Sequence, residues 1–219
     1  MITAVTVPVR SGALDADVAR PEPGHGLVLF AHGSGSSRHS TRNGYVAGVL
    51  QQAGIGTVLL DLLTADEIAR DQVTEEFRFD IPLLGRRADE AVAWAADQGL
   101  VDRPGAIGLF GASTGAAAAL MAAATQPAQV GAVVCRGGRA DLADDVLPLV
   151  EAPVLFIAGS HDEAIVDIAA DAMVRLGGRA RLHVVAGATH LFEEPGAIDE
   201  VARLARGWFL EHLGAPGRT

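Results

Sequence analysis

At 219 residues, 49% hydrophobic and 20% charged, the chain can bury one large core and leaves little room for a second, so residues 1–219 are expected to form a single domain. Its 27 acidic against 17 basic side chains, a formal charge of −10, repel phosphate backbones and anionic lipid surfaces, which argues against nucleic acid or membrane as partners. The lone Cys135 excludes an internal disulfide and a multi-cysteine metal site, and its neighbours Ala132, Val133 and Val134 suit a buried, inert thiol.

The first twelve residues, MITAVTVPVRSG, carry neither a basic n-region nor a long apolar run, so a cytoplasmic location is the expectation. Residues 3–9 alternate as a half-buried strand does, Ser11-Gly12 reads as a turn, and residues 13–19 alternate again, predicting an antiparallel hairpin. Pro21, Pro23, Gly24 and Gly26 punctuate the chain after the hairpin. Short apolar runs then recur at 27–31, 57–62, 106–110, 132–135, 154–158 and 181–185, as strands covered on both faces require. Helical spacing fills the gaps, at 45–53, 81–96, 115–125, 165–176 and 197–212. The most apolar stretch, 116–124, is too short to cross a bilayer. Residues 64–79, TADEIARDQVTEEFRF, read as a solvated turn and helix face. The expected fold class is α/β: a mostly parallel, doubly wound sheet of about eight strands opening on an antiparallel hairpin, with no insertion long enough for a cap domain. That order resembles the α/β-hydrolase architecture.

Between a strand and an alanine-rich helix lies Gly111-Ala-Ser113-Thr-Gly115. A serine on so sharp a turn sits in strained backbone, and any side chain two residues to either side would strike the crossing chain, so the motif needs glycine there. The gain is an exposed hydroxyl at a helix N-terminus, whose dipole favours developing negative charge. Two other readings compete with nucleophilic Ser113. Gly108, Gly111 and Gly115 after a strand also resemble a dinucleotide-binding turn, which would make the chain an NADP-dependent oxidoreductase with Arg136 on the 2′-phosphate. The turn's mid-chain position weighs against that reading. A non-catalytic ligand-binding scaffold is the third.

The strand at 27–31 ends in the small-residue run His32-Gly-Ser-Gly-Ser-Ser37, where a second oxyanion donor arises in this architecture. The assigned donors are the N–H groups of Thr114 and Ser34, with Gly33 as the alternative for the second. His32 is read as a structural residue holding the loop, and His39 as a substrate contact. The triad order Ser, then acid, then His places the acid in Gly159-Ser-His-Asp162-Glu163 and the base in Ala186-Gly-Ala-Thr-His190. Asp162 is preferred to Glu163 for its shorter side chain, and of the seven histidines only His190 follows the last strand at the required place. No metal or cofactor is called for.

These segments, with residues 30–37 (FAHGSGSS), 60–64 (LDLLT), 111–115 (GASTG), 136–139 (RGGR) and 187–195 (GATHLFEEP), resemble the dienelactone-hydrolase-like branch of the α/β-hydrolases. That branch includes small bacterial members, some attached to a phosphoribosyltransferase-like domain, of which these 219 residues show no segment. The resemblance implies the fold and the triad. It does not imply the dienelactone reaction, because dienelactone hydrolases use cysteine where this chain has Ser113. The expected activity is therefore hydrolysis of a small ester, thioester or lactone in a shallow cleft. Arg136 and Arg139, following a strand, are expected at the carboxyl edge of the sheet beside Ser113, on an anionic substrate group or paired with Asp141 or Asp144.

Overall fold

The computed structural model describes residues 1–23 and 25–214, leaving Gly24 and the last five residues outside the described part. Strands β1 (Ile2–Val9) and β2 (Gly12–Ala19) form the antiparallel hairpin. β2 pairs antiparallel with β4 (Gly56–Leu60), which lies parallel to β3 (Leu27–Ala31). Parallel strands β5 (Ile107–Ala112), β6 (Val130–Arg136), β7 (Val154–Gly159) and β8 (Ala180–Val185) complete one sheet in the order β1-β2-β4-β3-β5-β6-β7-β8. Every residue of β3, β4, β5 and β7 is buried, which is why these strands read as continuous apolar runs.

Helices α1 (Thr41–Gln52) and α6 (Ala197–Leu213) cover one face, over a cluster containing Phe30, Phe110 and Phe209. The Phe30 and Phe110 rings stand 4.9 Å apart on paired residues of β3 and β5, a contact contributing about 0.5–1.5 kcal/mol beyond its area. Helices α3 (Ile81–Asp97), α4 (Thr114–Thr125) and α5 (Glu163–Arg175) cover the other face. The buried residues of α4 are all Ala, Gly or Thr except Leu120. Small side chains let it lie deep against β5 and α3, and the residue after β5 thereby meets the helix at the carboxyl edge of the sheet.

Four local details differ from the sequence reading or add to it. α1 begins at Thr41, four residues before the predicted start, because the Ser40 hydroxyl accepts the Asn43 N–H and caps it. β4 stops at Leu60, since Asp61 turns to accept the Arg38 N–H and the Leu62 N–H donates to His32 Nε2. The segment 64–79 contains α2 (Ala65–Thr74), opened by a reciprocal capping box between Thr64 and Glu67. Residues Ala140–Leu149 form 3-10 turns containing Pro148, which removes an N–H and breaks any longer helical period. Among the described residues no helix is long and apolar enough to cross a membrane.

Candidate active site

Ser113 joins β5 to α4 with φ 50° and ψ −120°, a left-handed conformation that a side chain enters only when the surroundings impose it. Three hydrogen bonds impose it. The Ser113 N–H donates to the Arg136 carbonyl at 3.0 Å, and the Ser113 carbonyl accepts the N–H groups of Arg139 at 3.0 Å and Ala116 at 3.1 Å. The glycines give the turn its room: a Cβ on Gly111 would lie 2.4 Å from the Ala116 Cα, and one on Gly115 would lie 2.3 Å from the Ala31 carbonyl oxygen. A Cβ on Gly108 would meet Phe209 at 2.6 Å. All three glycines of the alternative dinucleotide turn are thus accounted for by close packing.

His190 comes from the loop after β8 and Asp162 from the loop after β7, where it precedes α5. The two loops are knitted by the His161 N–H on the Ala188 carbonyl at 2.9 Å and the Gly187 N–H on the Ser160 hydroxyl at 2.8 Å. Gly159 permits this approach, since a Cβ there would be 2.2 Å from the Ala188 oxygen. His190 Nδ1 lies 2.6 Å from Asp162 Oδ2, and its Nε2 lies 3.3 Å from Ser113 Oγ. One tautomer satisfies both contacts: Nδ1–H donates to Asp162 while Nε2 accepts the Ser113 hydroxyl. Glu163 occupies the first turn of α5, exposed, with no contact to His190 among the described residues. Cys135 is fully buried in β6, and burial pushes its thiol far above the ordinary range, which suits an inert thiol.

Thr114 opens α4, so its N–H has no intrahelical acceptor and points toward the space before the helix. The Ser34 N–H donates to Thr114 Oγ1 at 2.8 Å. Gly33 lies against the turn, where a Cβ would stand 3.2 Å from that of Ser113. His32 fixes the loop: its Nδ1–H donates to the Gly33 carbonyl at 2.9 Å and its Nε2 accepts the Leu62 N–H at 3.1 Å. Burial pushes its pKa below 6.5, outweighing the Gly33 bond and Asp61, so the ring is neutral at pH 7.

Two cavities flank this loop and share Gly33, Ser34, Ser36 and Ser40. One, of about 230 Å³, contains Ser113 and His190 together with Arg42, Asn43 and Arg136. The other, of about 500 Å³, is walled by His32, Leu63, Ile68, Asp71, Arg78 and Leu84. α2 and the turn after it wall this larger cavity through Ile68, Asp71 and Arg78. Asp71 secures that wall. Its carboxylate accepts the N–H groups of Phe77 and Arg78 and the Arg78 Nε–H at 2.7 Å. Burial alone would raise the Asp71 pKa, but these bonds and the Arg78 charge outweigh it and hold the group below its usual 3.8.

The predicted substrate contacts separate. Arg136 lines the cavity with Ser113. Arg139 does not: its guanidinium is 40% exposed and bonded to Asp141 at 2.7 and 2.8 Å. His39 is exposed and borders the larger cavity only. The glycines between the two arginines also have a purpose other than approach to a ligand. A Cβ on Gly138 would meet Ala116 Cβ at 2.7 Å, and one on Gly137 would meet His190 Cε1 at 3.3 Å. They let this loop wrap the serine turn. Arg42, absent from the sequence reading, joins the site from the first turn of α1. The signal that could have found it was Ser40 as an N-cap.

An eight-stranded sheet with an antiparallel first hairpin, and a serine turn at the carboxyl end of its fifth strand, defines an α/β-hydrolase fold. The chain belongs to the dienelactone hydrolase family, which it matches over residues 61–210. It is 48% identical to the crystal structure of dienelactone hydrolase from Anabaena variabilis, with a TM-score of 0.92 over 97% of this chain and 98% of that one. Est1E from Butyrivibrio proteoclasticus shares the fold at 16% identity, with a TM-score of 0.80 over 95% of this chain and 98% of that one. A Mycobacterium tuberculosis H37Rv protein, provisionally named as a phosphoribosyl transferase, is 51% identical over 198 residues, 90% of this chain and 43% of its own length. The chain thus spans less than half of the curated relatives it matches.

Proposed function

We propose that the chain is a serine hydrolase cleaving small ester, thioester or lactone substrates through an acyl-enzyme on Ser113. The observation that carries this reading is the hydrogen-bonded line Asp162–His190–Ser113, ending in a serine held in left-handed backbone. In the first half-reaction the Ser113 oxygen bonds to the substrate carbonyl carbon as its proton passes to His190 Nε2. Asp162 keeps the ring in the required tautomer and stabilises the imidazolium without taking the proton. The tetrahedral oxyanion rests on the Thr114 N–H and on the Ser34 N–H. To accept it, Ser34 exchanges a neutral hydroxyl acceptor, Thr114 Oγ1, for a charged one, and hydrogen bonds to ions are roughly twice as strong as neutral ones. Collapse expels the leaving oxygen or sulfur, which takes the proton from His190. Water then repeats the sequence on the acyl-enzyme, with His190 as base, and releases the acid.

Steady-state hydrolysis of p-nitrophenyl acetate tests the reading. Ser113→Ala is expected to lower kcat by about 10⁴-fold or more while leaving the circular dichroism and melting temperature of the wild type. Residual activity within tenfold of wild type would overturn it.

A further inference from the structure

We infer that Arg136 and Arg42 form a subsite for an anionic group of the substrate, a carboxylate or a phosphate, beside Ser113; the inference rests on the hydrolase reading above. Arg136, the last residue of β6, is only 7% exposed, yet no acidic side chain among the described residues pairs with it and its Nε is buried without a hydrogen-bond partner. The contrast with Arg87 is internal to the molecule. Arg87 is 2% exposed and has Glu67 at 2.9 Å, Glu90 at 3.6 Å and the Ser11 hydroxyl as partners. Where this fold buries a guanidinium for structure, it supplies counter-charge.

Arg136 instead faces a second cation. Burial, with the like charge of Arg42 added to it, lowers the Arg136 pKa to about 10, which leaves it protonated at neutral pH. Arg42 carries one carboxylate, Glu193 at 2.9 Å, which is itself 66% exposed, and its Nε is also buried without a partner. Both arginines line the 230 Å³ cavity that holds Ser113 and His190. At about 30 Å³ per water-sized group, that space admits roughly seven such groups. A carboxylate or phosphate with a short stem fits it. Arg136 is held in place by the Phe192 ring, 5.8 Å from its guanidinium carbon, and Phe192 is buried two residues after His190 at φ 56°. The same short loop therefore positions the base and backs the cation. In a chain of net charge −10, this is a place where an approaching anion meets two guanidinium groups against one exposed carboxylate.

The test has a kinetic arm and a binding arm. In the kinetic arm, kcat/KM is measured for p-nitrophenyl hydrogen succinate and for its neutral methyl ester, with non-enzymatic hydrolysis subtracted. Wild type is expected to favour the anionic ester at least tenfold. Arg136→Gln is expected to abolish that preference, Arg42→Gln to reduce it severalfold, and Arg139→Gln, whose side chain lies on Asp141 outside the cavity, to keep it. In the binding arm, calorimetry of Ser113→Ala with succinate and with inorganic phosphate, at fixed ionic strength, asks which anion the site holds. Binding of either that Arg136→Gln and Arg42→Gln weaken at least tenfold supports the subsite, and the tighter of the two names its chemistry. Equal use of both esters by wild type, equal losses on both in Arg136→Gln, or no binding of either anion overturns the inference. If Arg136→Gln fails to fold, Arg42→Gln alone decides. Anion binding without ester turnover would retain the subsite and remove the hydrolase reading, so the two fail separately.

Discussion

The serine turn and the α2 wall stand on opposite sides of the loop 33–40 and are built by different means. The turn is imposed by excluded volume: Gly111, Gly115, Gly138 and Gly159 each occupy a place where a Cβ would come within 2.2–2.7 Å of another atom. The wall is held by polar bonds near the surface, with Asp71 and Arg78 at its centre and the Thr64–Glu67 box at its start. Packing of the first kind admits almost no change. Bonds of the second kind can be weakened one at a time. Chemistry that needs atoms placed within a few tenths of an ångström is expected on the turn, and accommodation of the rest of the substrate on the wall.

The sharpest break in that comparison comes from the residue orienting His190. Asp162→Asn is expected to lower kcat by about 10³–10⁴-fold through loss of tautomer control and charge stabilisation, whereas Glu163→Gln changes it less than twofold. Arg78→Gln, on the wall, should keep kcat within about threefold and act on KM. A large kcat loss for Arg78→Gln would erase the proposed division of labour.

Stability should divide the same way. Gly115→Ala places a methyl 2.3 Å from the Ala31 oxygen and 2.5 Å from that of His32, and thermal melts are expected to show a loss of about 3 kcal/mol. Gly44→Ala, in α1 with nothing within 4 Å, should instead gain about 0.5–1 kcal/mol. A neutral Gly115→Ala would mean that the end of β3, at Ala31 and His32, yields freely to the turn.

Strand and helix order, the serine turn and the two loops carrying Asp162 and His190 were legible because each is local: an apolar run, a glycine spacing, an acid or histidine just past a strand. What escaped depends on distant contacts. Arg42 and Arg136 are far apart in sequence and meet only because the start of α1 and the end of β6 share one sheet edge. The charged segment 64–79 read as solvent-facing, and most of its charges do reach solvent, but Asp71 is buried, and Ile68 and Phe77 pack on the core and turn the segment into a wall. Arg136 and Arg139 were indistinguishable as sequence. Arg136 ends a buried strand, and Arg139 sits three residues later at the surface beside Asp141.

Acid should separate the two regions by a smaller margin. His32 is held neutral beside the turn with its pKa below 6.5, so its stabilising contribution is complete above about pH 6.5 and declines as the pH falls below it. The slope is at most about 1.4 kcal/mol per pH unit. His212, which burial also depresses, adds to it. Asp71 in the wall is held below 3.8, so its contribution is present above that value and is lost only at lower pH. Urea denaturation between pH 8 and 3, with the His32 ring titration followed by NMR, checks both. A His32 midpoint at or above 6.5 would contradict its burial as a neutral ring.

The central claim is that Ser113 is the nucleophile, and covalent labelling tests it most directly. After treatment with a fluorophosphonate, mass spectrometry should find one adduct, on the peptide containing Ser113, abolished in Ser113→Ala and formed far more slowly in Asp162→Asn. An adduct on a different residue, or no adduct from a preparation that still hydrolyses esters, would contradict the account.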